Sequence, residues 1–97
     1  MDVYANVKEL ILEQEQLATS GEGFQIILWN DEVNTFSWVI ESLCEILEHN
    51  TIQAEQCTMI VHHNGKTSVK VGSYDYLRPR YEALQARGLT VTIEQTA

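Results

Sequence analysis

Apolar residues follow a strand pattern first and a helical pattern next. The run from Phe24 to Trp29 is rich in β-branched and aromatic residues and lacks strict alternation, which predicts a strand covered at least in part on both faces. Apolar side chains then recur at the three- and four-residue spacing of a helix with one buried face. These positions are Phe36, Val39, Ile40, Leu43 and Leu47. We expect Asn34 to be the N-cap of this helix.

A second helix is predicted between Asn50 and Asn64. Asn50 is a favoured N-cap residue, and Gln53 stands three positions later, where a capping box has its second member. Gly65 suits the left-handed position that follows a helix. Residues 66–72 then alternate polar residues with apolar or β-branched ones, which predicts a strand with one solvent-exposed face. The residues expected on the covered face are Thr67, Val69 and Val71.

A third helix should begin near Ser73 and stop at Gly88. Its buried stripe would consist of Leu77, Tyr81 and Leu84. Pro79 conflicts with this helix, because an interior proline costs about 3 kcal/mol through a lost hydrogen bond and a steric clash. We therefore expect the helix either to kink at Pro79 or to begin regularly only near it.

The last strand is predicted where Leu89, Val91 and Ile93 alternate with threonines, so the order of elements is β-α-α-β-α-β. Residues 1–23 show a short helical pattern that fades into a polar, glycine-containing stretch. We interpret residues 1–23 as a flexible N-terminal extension and residues 24–97 as one folded core.

Composition narrows the possible partners. The chain of 97 residues carries 14 Asp and Glu against 6 Lys and Arg, a formal net charge of -8. This charge argues against binding nucleic acid or an anionic membrane surface and favours a cationic partner. No apolar run approaches the ~18 residues that cross a bilayer. We expect a cytoplasmic protein, and Cys44 and Cys57, which fall in helical patterns without a CxxC pair, should be reduced, buried thiols.

Enzyme chemistry finds little support in the sequence. Cys57 and His62 are five residues apart on one predicted helix, so they do not share a face and are poorly placed to form a thiolate–imidazole pair. His62 and His63 with Asp31 or Glu32 match no recognised metal-ligand spacing. We therefore expect no catalytic residues, no metal and no cofactor.

The segment Asn30, Asp31 and Glu32 separates the first strand from the first helix. Acids before a helix complement its dipole and Asx residues form turns, which explains the segment without any function. A binding role requires a group that converges on it from elsewhere, and His62 can supply one if the first two helices form a hairpin. In isolation, His62 also fits an exposed imidazole at a helix C-terminus.

Two segments together, IILWNDEVNTFSWVIESL and AEQCTMIVHHNGK, resemble the Clp protease adaptor family, ClpS. That family shows a hydrophobic strand, Asn-Asp-Asp, a helix, and later a helix that ends in Val-His with Gly-Lys close behind. The resemblance covers about residues 24 to 95. It implies an α+β fold, a three-stranded antiparallel sheet with helices packed on it.

The resemblance also implies a function without catalysis. ClpS-like adaptors bind proteins whose first residue is large and hydrophobic (an N-degron) and deliver them to a Clp AAA+ ATPase of the ClpA or ClpC type. It implies that Asn30 and His62 accept hydrogen bonds from the terminal ammonium, that Glu32 acts through a water, and that Asp31 holds the turn. Binding should then weaken below about pH 6.5, where an ordinary imidazole becomes protonated.

The hydrophobic pocket implied by the resemblance draws on both predicted helices and the start of the last strand. Its members are Asn34, Phe36, Val39, Thr58, Val61 and Leu89. The family commonly has threonine at position 34, methionine at positions 36 and 58, and aspartate at position 32. Because Thr58 is smaller than methionine, we expect the pocket to be wider there and to tolerate a bulkier or β-branched first residue. The stiffer Phe36 should narrow the pocket from another side.

Asp75 and Arg80 stand where the family often has an acidic and a basic residue that contact the ATPase. An ordinary solvated helix face is the simpler explanation of both residues.

Three alternatives remain open. The chain could be a module of the same fold that serves another destruction machine, such as a ubiquitin ligase, or an adaptor with altered cargo. It could also be a small hydrolase that uses Cys57, although the helical spacing of Cys57 and His62 disfavours this alternative.

Overall fold

The computed structural model describes residues 23–96. The predicted N-terminal extension, residues 1–23, lies outside the described residues except for Gly23. The elements are β1 (Phe24–Trp29), α1 (Phe36–Leu47), α2 (Thr51–Asn64), β2 (Lys66–Gly72), α3 (Tyr74–Ala86) and β3 (Val91–Gln95). The predicted order β-α-α-β-α-β is confirmed.

The three strands form one antiparallel sheet in the order β2-β1-β3. The central strand β1 buries Ile26 and Leu28 almost completely on one face and leaves Ile27 only 8% exposed on the other. The α+β fold with a three-stranded antiparallel sheet and packed helices is confirmed. Burial on both faces explains why β1 shows an apolar run rather than alternation.

The start of α1 differs from the prediction. The N-cap is Thr35, whose Oγ1 accepts a hydrogen bond from the backbone N–H of Trp38 at 3.2 Å. The prediction of Asn34 as N-cap is wrong, because the side chain of Asn34 is bound to Asp31 and to the carbonyl of Gly88 instead. The hydroxyl of Thr35, one position later, therefore caps the helix.

Helix α2 begins and ends as predicted. Asn50 is the N-cap, and its Oδ1 accepts from the backbone N–H of Gln53 at 2.8 Å. Gly65 follows the helix with φ at 92°, a conformation that glycine adopts without a Cβ penalty. The amide of Gly65 donates to the carbonyl of Val61, which fixes the end of the helix that carries His62.

Strand β2 does not keep the alternation expected of it. Ile26 pairs with Lys70 and Ile27 with Ser68, so Val69 is an extra residue in a β-bulge. The bulge reverses the direction in which the following side chains point. Thr67 and Val71 consequently lie on opposite faces, and Ser68 is buried. The predicted solvent-exposed face is wrong for this reason.

Helix α3 begins at Tyr74 after its N-cap Ser73 and contains Pro79. A regular start only near Pro79 is therefore wrong. Leu77 and Leu84 on either side of the proline are both fully buried. Each such side chain stabilises the fold by about 1.5–3 kcal/mol, which offsets the cost of the missing hydrogen bond.

Two further positions correct the sequence interpretation. Leu89 precedes β3 rather than starting it, and its amide donates to the carbonyl of Leu84 at the end of α3. Cys57 is fully buried as predicted, whereas Cys44 is only half-buried. Both are reduced thiols. Within residues 23–96, no helix has the length and apolar character needed to span a bilayer.

Candidate functional site

A cavity of about 270 Å³ lies where the end of β1, the start of α1 and the last turns of α2 meet. Its wall combines amide, carboxylate and imidazole groups with apolar side chains. The lining residues are Leu28, Trp29, Asn30, Asp31, Glu32, Asn34, Phe36, Val39, Thr58, Val61, His62 and Leu89. The structure thus brings the four residues assigned to amine binding and the six assigned to the hydrophobic pocket around one space.

Sequence reasoning missed Leu28 and Trp29 in this cavity. Both belong to β1, and their apolar character was explained by the strand alone. The indole of Trp29 is held in place by donation of Nε1 to the hydroxyl of Thr92 at 3.0 Å, and Lys66 Nζ lies 5.0 Å from its ring centroid. Their position directly before Asn30 was the available signal, because the last residues of a strand that leads into a site flank that site.

Backbone contacts bring the two distant segments together. The amide of Asn30 donates to the carbonyl of Gly65 at 2.8 Å, which joins the end of β1 to the end of α2. On the side-chain level, the ring centroids of Phe36 and His62 are 5.1 Å apart. The helical hairpin expected from the sequence therefore returns to the junction between β1 and α1.

Asp31 organises the turn that follows β1. Its carboxylate accepts hydrogen bonds from the backbone amides of Val33 and Asn34, from the Asn34 side chain, and from the hydroxyl of Thr90. Burial alone would raise the pKa of the Asp31 carboxyl, but the hydrogen bonds from Asn34, Thr90 and Val33 together lower it below its usual value. The acid is thus ionised and fully engaged within the protein.

Asn34 links this turn to the segment before β3. Its Nδ2 donates to Asp31 Oδ2 at 2.9 Å and to the carbonyl of Gly88 at 2.9 Å. The second bond places Leu89, which is 5% exposed, beside the cavity. Asn34 thus connects the turn to the segment before β3 by hydrogen bonds, and it also lines the cavity.

The polar groups of Asn30, Glu32 and His62 differ from that of Asp31. Among residues 23–96, none of these three side chains donates or accepts a hydrogen bond in the structure, and all three residues are exposed. They line the cavity with acceptor atoms that are open to a ligand. A positively charged group with several N–H donors is the ligand that such acceptors suit.

The apolar part of the wall comes from both helices and from Leu89. Thr58 is buried, and its hydroxyl donates to the carbonyl of Ala54 at 2.8 Å. Its polar atom is therefore satisfied within the helix, and its methyl group remains for contact with the cavity. Phe36, which is 47% exposed, also lines the cavity.

The thiol and imidazole considered for catalysis are in different environments. Cys57 is fully buried, and burial raises the pKa of its thiol to about 12, so the group remains protonated at neutral pH. His62 is exposed at the cavity. Within residues 23–96, no group of three or more His, Cys, Asp or Glu side chains is arranged to hold a metal ion.

Asp75 and Arg80 do not converge on one point. They are five positions apart in the helix, which corresponds to about 140° around α3. Asp75 is exposed in the first turn, whereas the guanidinium of Arg80 lies 3.7 Å from the ring centroid of Tyr76 and donates to the Tyr76 carbonyl.

The structure is a small α+β domain whose cavity places polar acceptor groups beside an apolar wall. The sequence model of the family described as ATP-dependent Clp protease adaptor protein ClpS matches residues 19–92. The chain therefore belongs to the ClpS family of Clp protease adaptors, and the resemblance recognised in the sequence is confirmed.

Individual relatives agree with this assignment. The ATP-dependent Clp protease adapter protein ClpS of Campylobacter jejuni subsp. doylei is 39% identical over 59 residues, which cover 61% of this chain and 60% of that protein. The ClpS of Corynebacterium aurimucosum is 33% identical over 69 residues, covering 71% of this chain and 62% of that protein. The matched region thus spans about three fifths of the length of these relatives.

A solved structure shares the fold. The structure of Agrobacterium tumefaciens ClpS2 bound to L-phenylalaninamide superposes with a TM-score of 0.70 at 20% sequence identity. The match covers 75% of this chain and 95% of that one.

Proposed function

We propose that this protein binds other proteins through a free N-terminal residue with a large hydrophobic side chain and delivers them to a Clp AAA+ ATPase–protease complex. The observation that carries the proposal is the single cavity in which Asn30, Glu32 and His62 offer acceptor atoms next to an apolar wall. A protein N-terminus combines an ammonium group with an adjacent side chain, so it matches both halves of this cavity.

The ammonium group requires acceptors. An α-amino group has a pKa near 7.7–8.0 and is mostly protonated at neutral pH, with three N–H donors. In the proposal, the amide oxygen of Asn30 and an unprotonated nitrogen of His62 accept directly, and Glu32 accepts through a water. Asp31 contributes through the turn that it holds, since its carboxylate already accepts hydrogen bonds from three other residues.

Both halves of the ligand are needed for useful affinity. Two charge-assisted hydrogen bonds contribute about 1.5–3 kcal/mol each, and burial of an apolar side chain adds about 1.5–3 kcal/mol. Micromolar binding requires about 8 kcal/mol. Since neither contribution reaches this value alone, recognition should depend on the free amine and on the side chain together.

The structural neighbour supports the same chemistry. The Agrobacterium ClpS2 structure contains L-phenylalaninamide. This small molecule has a free α-amino group next to an aromatic side chain, the two features that the cavity of the present chain is suited to bind.

Delivery to a Clp ATPase rests on family membership. A ClpA- or ClpC-like ATPase is the partner in this proposal, with Asp75 and Arg80 on α3 as candidate contacts and residues 1–23 assisting in the transfer of cargo. The reduced thiols Cys44 and Cys57 agree with the cytoplasmic location that such a role requires.

Calorimetry with two peptides tests the proposal. A peptide that begins with leucine should bind, whereas the same peptide with an acetylated N-terminus should bind at least tenfold more weakly, because acetylation removes the charge and two of the three donors. Equal affinity for the two peptides would exclude the amine-binding role of Asn30 and His62.

The differences at Phe36 and Thr58 set the expected specificity. Competition among peptides that differ only in the first residue should show that isoleucine and valine are accepted beside leucine and phenylalanine. Thr58→Met should then reduce binding of the β-branched peptides more than of the leucine peptide. A strict preference of the unmodified protein for leucine and phenylalanine would contradict this. Failure of every such peptide to bind would favour the second candidate, an adaptor of the same fold with different cargo.

A further inference from the structure

The ring of His62 contacts two other rings. Its centroid is 5.1 Å from that of Phe36, with an interplanar angle of 73°. The ring centroid of His63 is 5.3 Å from that of His62, at an interplanar angle of 76°. Both contacts are edge-on arrangements, which aromatic pairs prefer over face-to-face stacking.

These contacts restrict an imidazole that is otherwise exposed at the end of α2. The terminal torsion of a histidine side chain has a broad distribution, so an exposed ring samples a wide range of orientations. A nitrogen that must accept a hydrogen bond from an ammonium group has to point into the cavity. The rings beside His62 narrow the range of orientations and so prepare the acceptor for the ligand.

Phe36 has a second role because it also lines the cavity. It is the first residue of α1, and its backbone position is fixed by the Thr35 cap. A first side chain bound in the cavity therefore touches the same phenyl ring that contacts His62. Phe36 thus contacts His62, which is proposed to bind the amine, and also belongs to the hydrophobic pocket.

We infer that Phe36 positions His62 and thereby couples recognition of the terminal amine to recognition of the first side chain. The inference rests on the proposed function and adds a positioning residue to it. It goes beyond the expectation that Phe36 narrows the pocket, because a simple wall would influence the side chain of the ligand and leave its amine unaffected.

Two affinity ratios distinguish a positioning role of Phe36 from a role as a simple wall of the pocket. The first compares a leucine peptide with its N-acetylated twin and measures amine recognition. The second compares leucine with alanine as first residue and measures side-chain recognition. Both are measured by calorimetry, or by NMR titration where binding is weak, on the full chain.

Phe36→Leu keeps an apolar side chain and removes the ring. We expect the amine ratio to fall by about two- to tenfold, because the loss of an edge-on aromatic contact changes an affinity by about this factor. Phe36→Tyr keeps the ring and should lower the amine ratio less than Phe36→Leu does. Val39→Ala is the matched control, because Val39 lines the cavity and should change the side-chain ratio alone. Circular dichroism checks that each variant is folded.

The possible results separate the inference from the function on which it rests. An unchanged amine ratio in Phe36→Leu, or an equal loss in Phe36→Tyr, overturns the positioning role while the proposed function stands. Absence of leucine-peptide binding by the unmodified protein overturns both. In the unliganded protein, nuclear Overhauser contacts between the rings of Phe36 and His62 are expected, and their absence overturns the positioning role independently of any ligand.

Discussion

Asn34 offers a direct test of how the site is held together. Its side chain connects the turn after β1 to Gly88 and so fixes the segment that carries Leu89. The substitution Asn34→Ala removes these connections and leaves the backbone of the turn in place. The Asp31 carboxylate keeps its hydrogen bonds from Val33 and Thr90 in the variant.

The expected loss of stability follows from the bonds removed. A hydrogen bond to a charged group contributes about 1.5–3 kcal/mol and a neutral one about 0.5–1.5 kcal/mol. Because Asn34 is only half-buried and water can replace part of both, we expect a loss of about 1–3 kcal/mol in the free energy of unfolding. For a domain of this size, each kcal/mol lowers the Tm by about 4–8 °C.

Urea unfolding followed by tryptophan fluorescence and by circular dichroism measures this loss. Asn64→Ala is the matched control, since Asn64 donates one exposed hydrogen bond of 3.2 Å to the carbonyl of Lys66 and should cost less than about 1 kcal/mol. Affinity for a leucine peptide should also fall in Asn34→Ala, because Leu89 is less well held. Equal stability of Asn34→Ala and Asn64→Ala would show that the Asn34 side chain does not hold these segments together.

Two further predictions concern buried titratable groups. His49 is 5% exposed, and its Nε2 lies 2.8 Å from the carbonyl of Val69. Its Nδ1 is buried and has no hydrogen-bond partner among residues 23–96. Burial and the nearby Lys70 lower the pKa of His49, against a smaller opposing effect of the Val69 hydrogen bond. Its contribution to stability is therefore complete above about pH 6.5 and is lost as the pH falls toward the folded-state pKa, by up to about 1.4 kcal/mol per pH unit. His49→Gln keeps a donor for Val69 and should flatten this part of the profile in urea unfolding between pH 7.5 and 5; an unchanged profile would exclude His49 as its source. Cys57, whose thiol pKa is raised to about 12, should resist iodoacetamide at pH 8 in the folded protein while the half-buried Cys44 reacts first. Mass spectrometry of the labelled peptides decides between them, and rapid labelling of Cys57 would contradict its burial.

Much of the architecture was predictable because the signals are local. The caps at Asn50 and Gly65 depend on contacts within four residues of the chain. Helical spacing likewise predicted the burial of Leu43 and Leu47 on α1, although Phe36 in the same stripe is 47% exposed. Such features are encoded in short segments, and the same physics acts on them before and after the chain folds.

The predictions were wrong at positions where a residue with a local role, such as helix capping, interacts instead with a group far away in the sequence. Asn34 has the residue type of an N-cap, but its side chain binds the carbonyl of Gly88, 54 positions away in the chain. The bulge at Val69 is another example, because it depends on pairing with β1. His49 was missed entirely, since nothing local marks it as buried.

The order of elements, the membership of the family and ten of the twelve residues that line the cavity were predictable from the sequence, whereas Leu28 and Trp29 were missed. Only the tertiary structure decided how the polar residues divide their roles, with Asp31 and Asn34 bound to protein groups and Asn30, Glu32 and His62 open to a ligand. These roles differ because a side chain in the folded protein forms hydrogen bonds with the groups that packing places within reach of it. Which groups those are depends on how segments far apart in the chain pack together.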